Sequence, residues 1–167
     1  MDMSRVGIWK ILKQLESKKI IKLKRIGSGK TSTSIITINF DNILTKKSLA
    51  LYLTEESLSQ ERWRTNFSDL EKETEFIILF GSIIKFIKEA KDIDIVIVAK
   101  SGKSIKIQKI LDKIQKSEIK KIHNINFTQE ELRRELEKKN KAFIEAIKNG
   151  VVLFGHEKFV DFMVEIR

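Results

Sequence analysis

The stretch Phe76-Ile-Ile-Leu-Phe-Gly-Ser82, followed after a nine-residue spacer by Asp92-Ile-Asp-Ile-Val-Ile-Val98, decides how the chain is read. Two apolar runs of strand length flank a short helical segment that opens on Gly81-Ser82. In a strand successive side chains alternate between faces, so Asp92 and Asp94 emerge on the same side. Aspartate is scarce in such strands, and two ionised carboxylates side by side repel. Left unpaired beside a core they are costly, so a cation or a basic partner is expected between them. Magnesium, a hard ion that prefers oxygen ligands, is the first candidate, with Mn²⁺ beside it.

Working outward, Gly81-Ser82 followed by Asp92-Ile93-Asp94 resembles the signature of the DNA polymerase beta-like nucleotidyltransferase superfamily, above all its minimal prokaryotic members. The resemblance covers roughly Phe67 to the C-terminus, where Gly150-Val-Val-Leu-Phe-Gly155 looks like the family's closing segment. It implies an α+β core, a mixed sheet with flanking helices. It also implies nucleotide-phosphate contacts at Gly81 and Ser82, and catalytic metal ligands at Asp92 and Asp94. Exposed amides at a helix start attract anions, and a divalent ion bridges phosphate to carboxylate, so the implied roles are physically coherent. Lys91 stands where the family usually has Ser. The strand on which the family carries a third carboxylate reads here as Lys121-Ile-His-Asn-Ile-Asn-Phe127, which has no Asp or Glu and offers Asn124 or Asn126 at that position. A neutral amide neither balances metal charge nor serves as a base.

A chain of 167 residues with 41% hydrophobic content suits one ordinary domain, or a small domain with a partial second. The absence of Cys excludes disulfides and thiolate zinc sites. No apolar run approaches a membrane span, and Met1 to Lys10 lacks a signal-peptide pattern, so a cytoplasmic protein with no membrane partner is expected. The net charge of +10 favours a polyanionic partner, nucleotide or nucleic acid.

Upstream, Ser4 is an expected N-cap for a helix whose Ile8, Ile11, Leu12 and Leu15 form an apolar stripe, with Arg5, Lys10 and Lys13 off it. The alternating run Ile20–Ile26, a polar turn over Gly27–Thr33 and a second run Ser34–Asn39 read as a β-hairpin. Helix, strand, basic turn, strand resembles the second half of a winged helix-turn-helix domain. That resemblance implies duplex-DNA contacts from Arg5, Lys10 and Lys13 on the helix and from Lys24, Arg25 and Lys30 on the wing. A plain helix-plus-hairpin cap is the simpler alternative. Gly27-Ser-Gly-Lys-Thr31 ends like a Walker A loop, but Lys24 stands where the first Gly is required and a strand pattern follows, so a P-loop is rejected.

The expected division is a partial winged-helix-like segment over 1–41, a helical linker over 42–74 and a nucleotidyltransferase-like domain over 75–167. In the linker Leu49, Leu51, Leu53 and Leu58 are expected to supply apolar contacts, and Trp63 with Phe67, four apart, to fix it against the core. Ser104 is an expected cap for a helix that turns Ile107, Ile110, Leu111 and Ile114 inward. Thr128-Gln-Glu-Glu131 reads as a capping box. A helix from Asn140 to Lys148 buries Phe143, Ile144 and Ile147 and ends at Gly150. The tail from Glu157 reads as a last amphipathic helix. His123 is either a nucleotide or metal contact or an ordinary strand histidine, the simpler reading, and His156 a helix-start residue.

The functional expectation is Mg²⁺- or Mn²⁺-dependent transfer of a nucleoside monophosphate from NTP to a hydroxyl acceptor. The alternative is a catalytically degenerate nucleotide-binding or scaffold domain in a DNA-binding regulator or an antitoxin-type protein, with a homodimer or a helical protein as partner.

Overall fold

The computed structural model describes residues 4–27 and 33–166. The chain divides into two compact units, Met1–Leu49 and Ala50–Arg167.

In the first unit, α1 (Arg5–Ser17) is followed by an antiparallel hairpin of β1 (Ile21–Ile26) and β2 (Thr33–Ile38) and by the start of α2 (Ile43–Leu58). Ser4 caps α1 as expected, its hydroxyl accepting from the Gly7 amide at 3.1 Å. β2 continues as strand where a P-loop would open a helix. The Ile8–Leu15 stripe does not become a core. No residue of α1 is buried, and Val6, Ile8, Trp9 and Ile11 are exposed, because one short hairpin is too little surface to cover a helix.

The second unit is built on a four-stranded mixed sheet with helices on its faces. Its strands are β3 (Phe76–Phe80), β4 (Asp92–Val98), β5 (Lys121–Phe127) and β6 (Val151–Phe154), in the order β5-β4-β3-β6. β3 runs antiparallel to both β4 and β6, whereas β4 and β5 are parallel. A parallel pair needs a crossover, and α4 (Ser104–Gln115) supplies it.

β3 and the inner length of β4 read as unbroken apolar runs because both sheet faces are covered. On one face Ile77, Leu79, Ile93, Ile95 and Ile97 pack with Trp63, Phe67 and Leu70 and with Ile107, Leu111 and Ile114 of α4. On the other, Phe76, Ile78, Val96 and Val98 pack with Leu132 of α5 (Gln129–Glu137), Ala146 of α6 (Lys141–Asn149), and Phe159 and Phe162 of α7 (His156–Glu165).

Several local expectations shift in register. Trp63 and Phe67 do pack into the core as expected: α3 (Glu61–Asn66) and the 3₁₀ segment after it carry Trp63, Phe67 and Leu70 there, with Trp63 and Phe67 stacked at 6.4 Å. Leu51 and Leu58 are 70% and 61% exposed, because apolar residues are spread around α2 and packing one side leaves the rest in solvent. α4 is capped at Lys103, whose carbonyl accepts the first helical bond from Ile107 at 3.0 Å, so Ser104 lies inside the helix and caps nothing. The capping box at Thr128 and Glu131 forms in full. In α6 the fully buried residue is Ala146, with Phe143, Ile144 and Ile147 half-buried around it.

Candidate metal centre

The sheet brings the sequence-singled residues to one place. Asp92 opens β4, and alternation sets Asp92, Asp94, Val96 and Val98 on one face. β3 ends opposite, with Phe80 paired to Asp94, and the chain then turns at Gly81. Gly81 has φ of +82°, and a Cβ built on it would fall 2.5 Å from Asp94 Oδ2. A side chain there would be strained by that φ and would push the Asp94 carboxylate aside. Gly81 and Ser82, both exposed, offer an approach from solvent. The segment they open is a three-residue 3₁₀ turn, Ser82–Ile84, too short to carry a helix dipole, so the anion-attracting helix start expected here is reduced to backbone amides beside an open approach.

β5 corrects the third position. Its parallel register sets Lys121 beside Asp92, His123 beside Asp94 and Ile125 beside Val96. Registered neighbours share a face, so Asn124 and Asn126 lie with Ile95 and Ile97 on the opposite side of the sheet from the aspartates. Neither can take the place of a third carboxylate, and the Asn124 amide instead donates to Asn126 Oδ1 at 3.2 Å. His123 lies on the aspartates' side instead. Its Nδ1 lies 3.5 Å from Asp92 Oδ2 and 3.5 Å from Asp94 Oδ1. Among the described residues, Asp92, Asp94 and His123 form a group whose ligand atoms all fall within 4.8 Å of one another, close enough to converge on one metal ion. Of the two readings open for His123, the geometry favours the contact over the bystander. Register between strands distant in sequence is set by packing, and no local signal in Lys121–Phe127 distinguishes His123 from Asn124.

The electrostatics suit a cation. Partial burial pushes the Asp94 carboxyl above its ordinary value and the Asp92 carboxylate pushes it the same way, against the pull of His123. A positive charge placed between the two carboxylates would relieve that repulsion. The donor set passes the test for a divalent ion: two carboxylates to balance its charge and a third donor to close one side.

The expected DNA contacts are less convergent. Arg5 and Lys10 are exposed on α1, while Lys13 holds Glu16 at 2.8 Å and lies over the Trp9 ring at 5.1 Å. Lys24 and Arg25 are consecutive in β1 and project from opposite faces of the hairpin. Lys30 lies outside the described residues. Among the described residues no helix is long and apolar enough to cross a membrane. His156 opens α7, as expected, with Nε2 2.9 Å from the Val152 carbonyl oxygen. In comparisons with known proteins the chain matches no family model, and no curated protein or solved structure shows significant similarity to it.

Proposed function

We propose that Asp92, Asp94 and His123 hold a divalent metal ion and that the protein uses it to transfer a nucleoside monophosphate from NTP to a hydroxyl acceptor. The observation that carries the reading is the apposition of Gly81 and Asp94, where a Cβ would fall 2.5 Å from the carboxylate's Oδ2 and glycine leaves that edge uncovered. A metal bound there would neutralise charge on the phosphate. The chain's own contribution is placement: β4 fixes both carboxylates on one side, β5 supplies the third donor, and the Gly81-Ser82 amides offer hydrogen bonds to the phosphate oxygens. Calorimetry with a nonhydrolysable NTP tests the proposal. Nucleotide binding should require Mn²⁺ or Mg²⁺ and weaken in Asp94→Asn; equal affinity with and without metal would refute it.

One observation favours the degenerate alternative. The third donor is an imidazole and not a carboxylate, so among the described residues the cluster has no further carboxylate to draw the acceptor proton. Binding of metal and nucleotide with no pyrophosphate release would select that alternative. For the first unit, duplex DNA remains the proposed partner on charge alone: residues 1–49 hold eleven Lys and Arg against three Asp and Glu.

A further inference from the structure

The third donor bears on which metal the centre takes. We infer that Asp92, Asp94 and His123 bind one first-row transition-metal ion, of the Mn²⁺ to Zn²⁺ series, in preference to Mg²⁺. This rests on the reading of the cluster as a metal centre and goes beyond it in fixing the ion's class and number.

Mg²⁺ demands near-ideal octahedral oxygen coordination and gives up its waters reluctantly, whereas imidazole nitrogen is a good donor to Mn²⁺, Fe²⁺, Co²⁺ and Zn²⁺. In this cluster the ring does not stand apart as an outer neighbour. Its Nδ1 is equidistant from one oxygen of each aspartate, so an ion seated between the carboxylates lies within reach of that nitrogen once it carries no proton. Asp94 and His123 are registered neighbours on parallel strands, which holds the donor in place by the sheet's own hydrogen bonds. Excluding His123 to suit Mg²⁺ would require the ring to swing away from both carboxylates.

The same donors limit the number of ions. Two-metal centres hold their ions about 3.5–4 Å apart by carboxylates that bridge them. An imidazole nitrogen has one lone pair and cannot bridge. Two carboxylates neutralise one divalent ion, and a second would add uncompensated charge to a cluster whose other member is neutral when it ligates.

Metal-stripped full-length protein titrated with Mn²⁺, followed by electron paramagnetic resonance, and with Co²⁺, followed by its visible absorption, tests this without any activity assay. One ion per chain is expected, not displaced by a large excess of Mg²⁺. His123→Ala should weaken Mn²⁺ and Co²⁺ by about tenfold or more while barely changing the weaker Mg²⁺ affinity. His123→Asp should reverse the preference toward Mg²⁺. Two ions per chain, ready displacement by Mg²⁺, or equal loss of all ions in His123→Ala would overturn the inference while leaving the metal centre standing. If no divalent ion binds, or if Asp94→Asn leaves binding intact, the metal-centre reading itself falls.

Discussion

Gly81 and Asp94 meet at the end of β3 so closely that a Cβ on the glycine would fall 2.5 Å from the carboxylate's Oδ2, with the glycine at φ of +82°. Gly81→Ala therefore carries two costs, a strained backbone of about 1–3 kcal/mol and a displaced Asp94. Denaturant unfolding should show the first, and Mn²⁺ affinity lowered by about tenfold or more the second. Gly102→Ala is the control. Gly102 has φ of +85° with nothing within 4 Å of where a Cβ would stand, so it should lose about 1 kcal/mol of stability and no metal affinity.

The register of β5 decides which substitution can add a carboxylate to the centre. Asn124→Asp and Asn126→Asp project on the far face and should leave Mg²⁺ affinity unchanged, as measured by calorimetry. His123→Asp should raise it, and without metal should destabilise the fold through repulsion among three carboxylates.

Core and surface in the stretch from Leu51 to Phe67 should separate sharply. Phe67 is fully buried, and Phe67→Ala should cost about 3–5 kcal/mol in urea unfolding. Leu51, 70% exposed, should tolerate alanine within about 0.5 kcal/mol.

Burial lowers the pKa of His156 below the ordinary histidine value of 6.5, partly opposed by its contact with the Val152 carbonyl. A depressed folded-state pKa means the unfolded chain takes up the proton first. The associated stability is present in full above pH 6.5 and is lost as pH falls from there through the folded-state pKa. Asp94, raised in the folded state, acts with the opposite sign: its contribution is present at low pH and is lost as pH rises through its folded-state pKa. Both wild type and His156→Gln carry the Asp94 contribution, so the difference between them isolates the histidine. The wild type should lose stability more steeply between pH 7 and the onset of carboxylate titration, and identical pH profiles would refute the assignment.

Local periodicity alone carries part of this structure. The two-residue repeat of Asp92–Val98 sets both carboxylates on one side whatever lies around them, and Thr128 with Glu131 closes a capping box within one turn. The spacing of Ile107, Leu111 and Ile114 likewise fixes the buried face of α4. The rest depends on how distant segments slide against one another. His123 and Asn124 are adjacent, and a shift of one residue between β5 and β4 would exchange them at the centre. Packing sets that register, as it sets which Leu of α2 are covered and how near Gly81 comes to Asp94. Those relationships arise from side chains far apart in the chain filling one volume, so no local pattern encodes them.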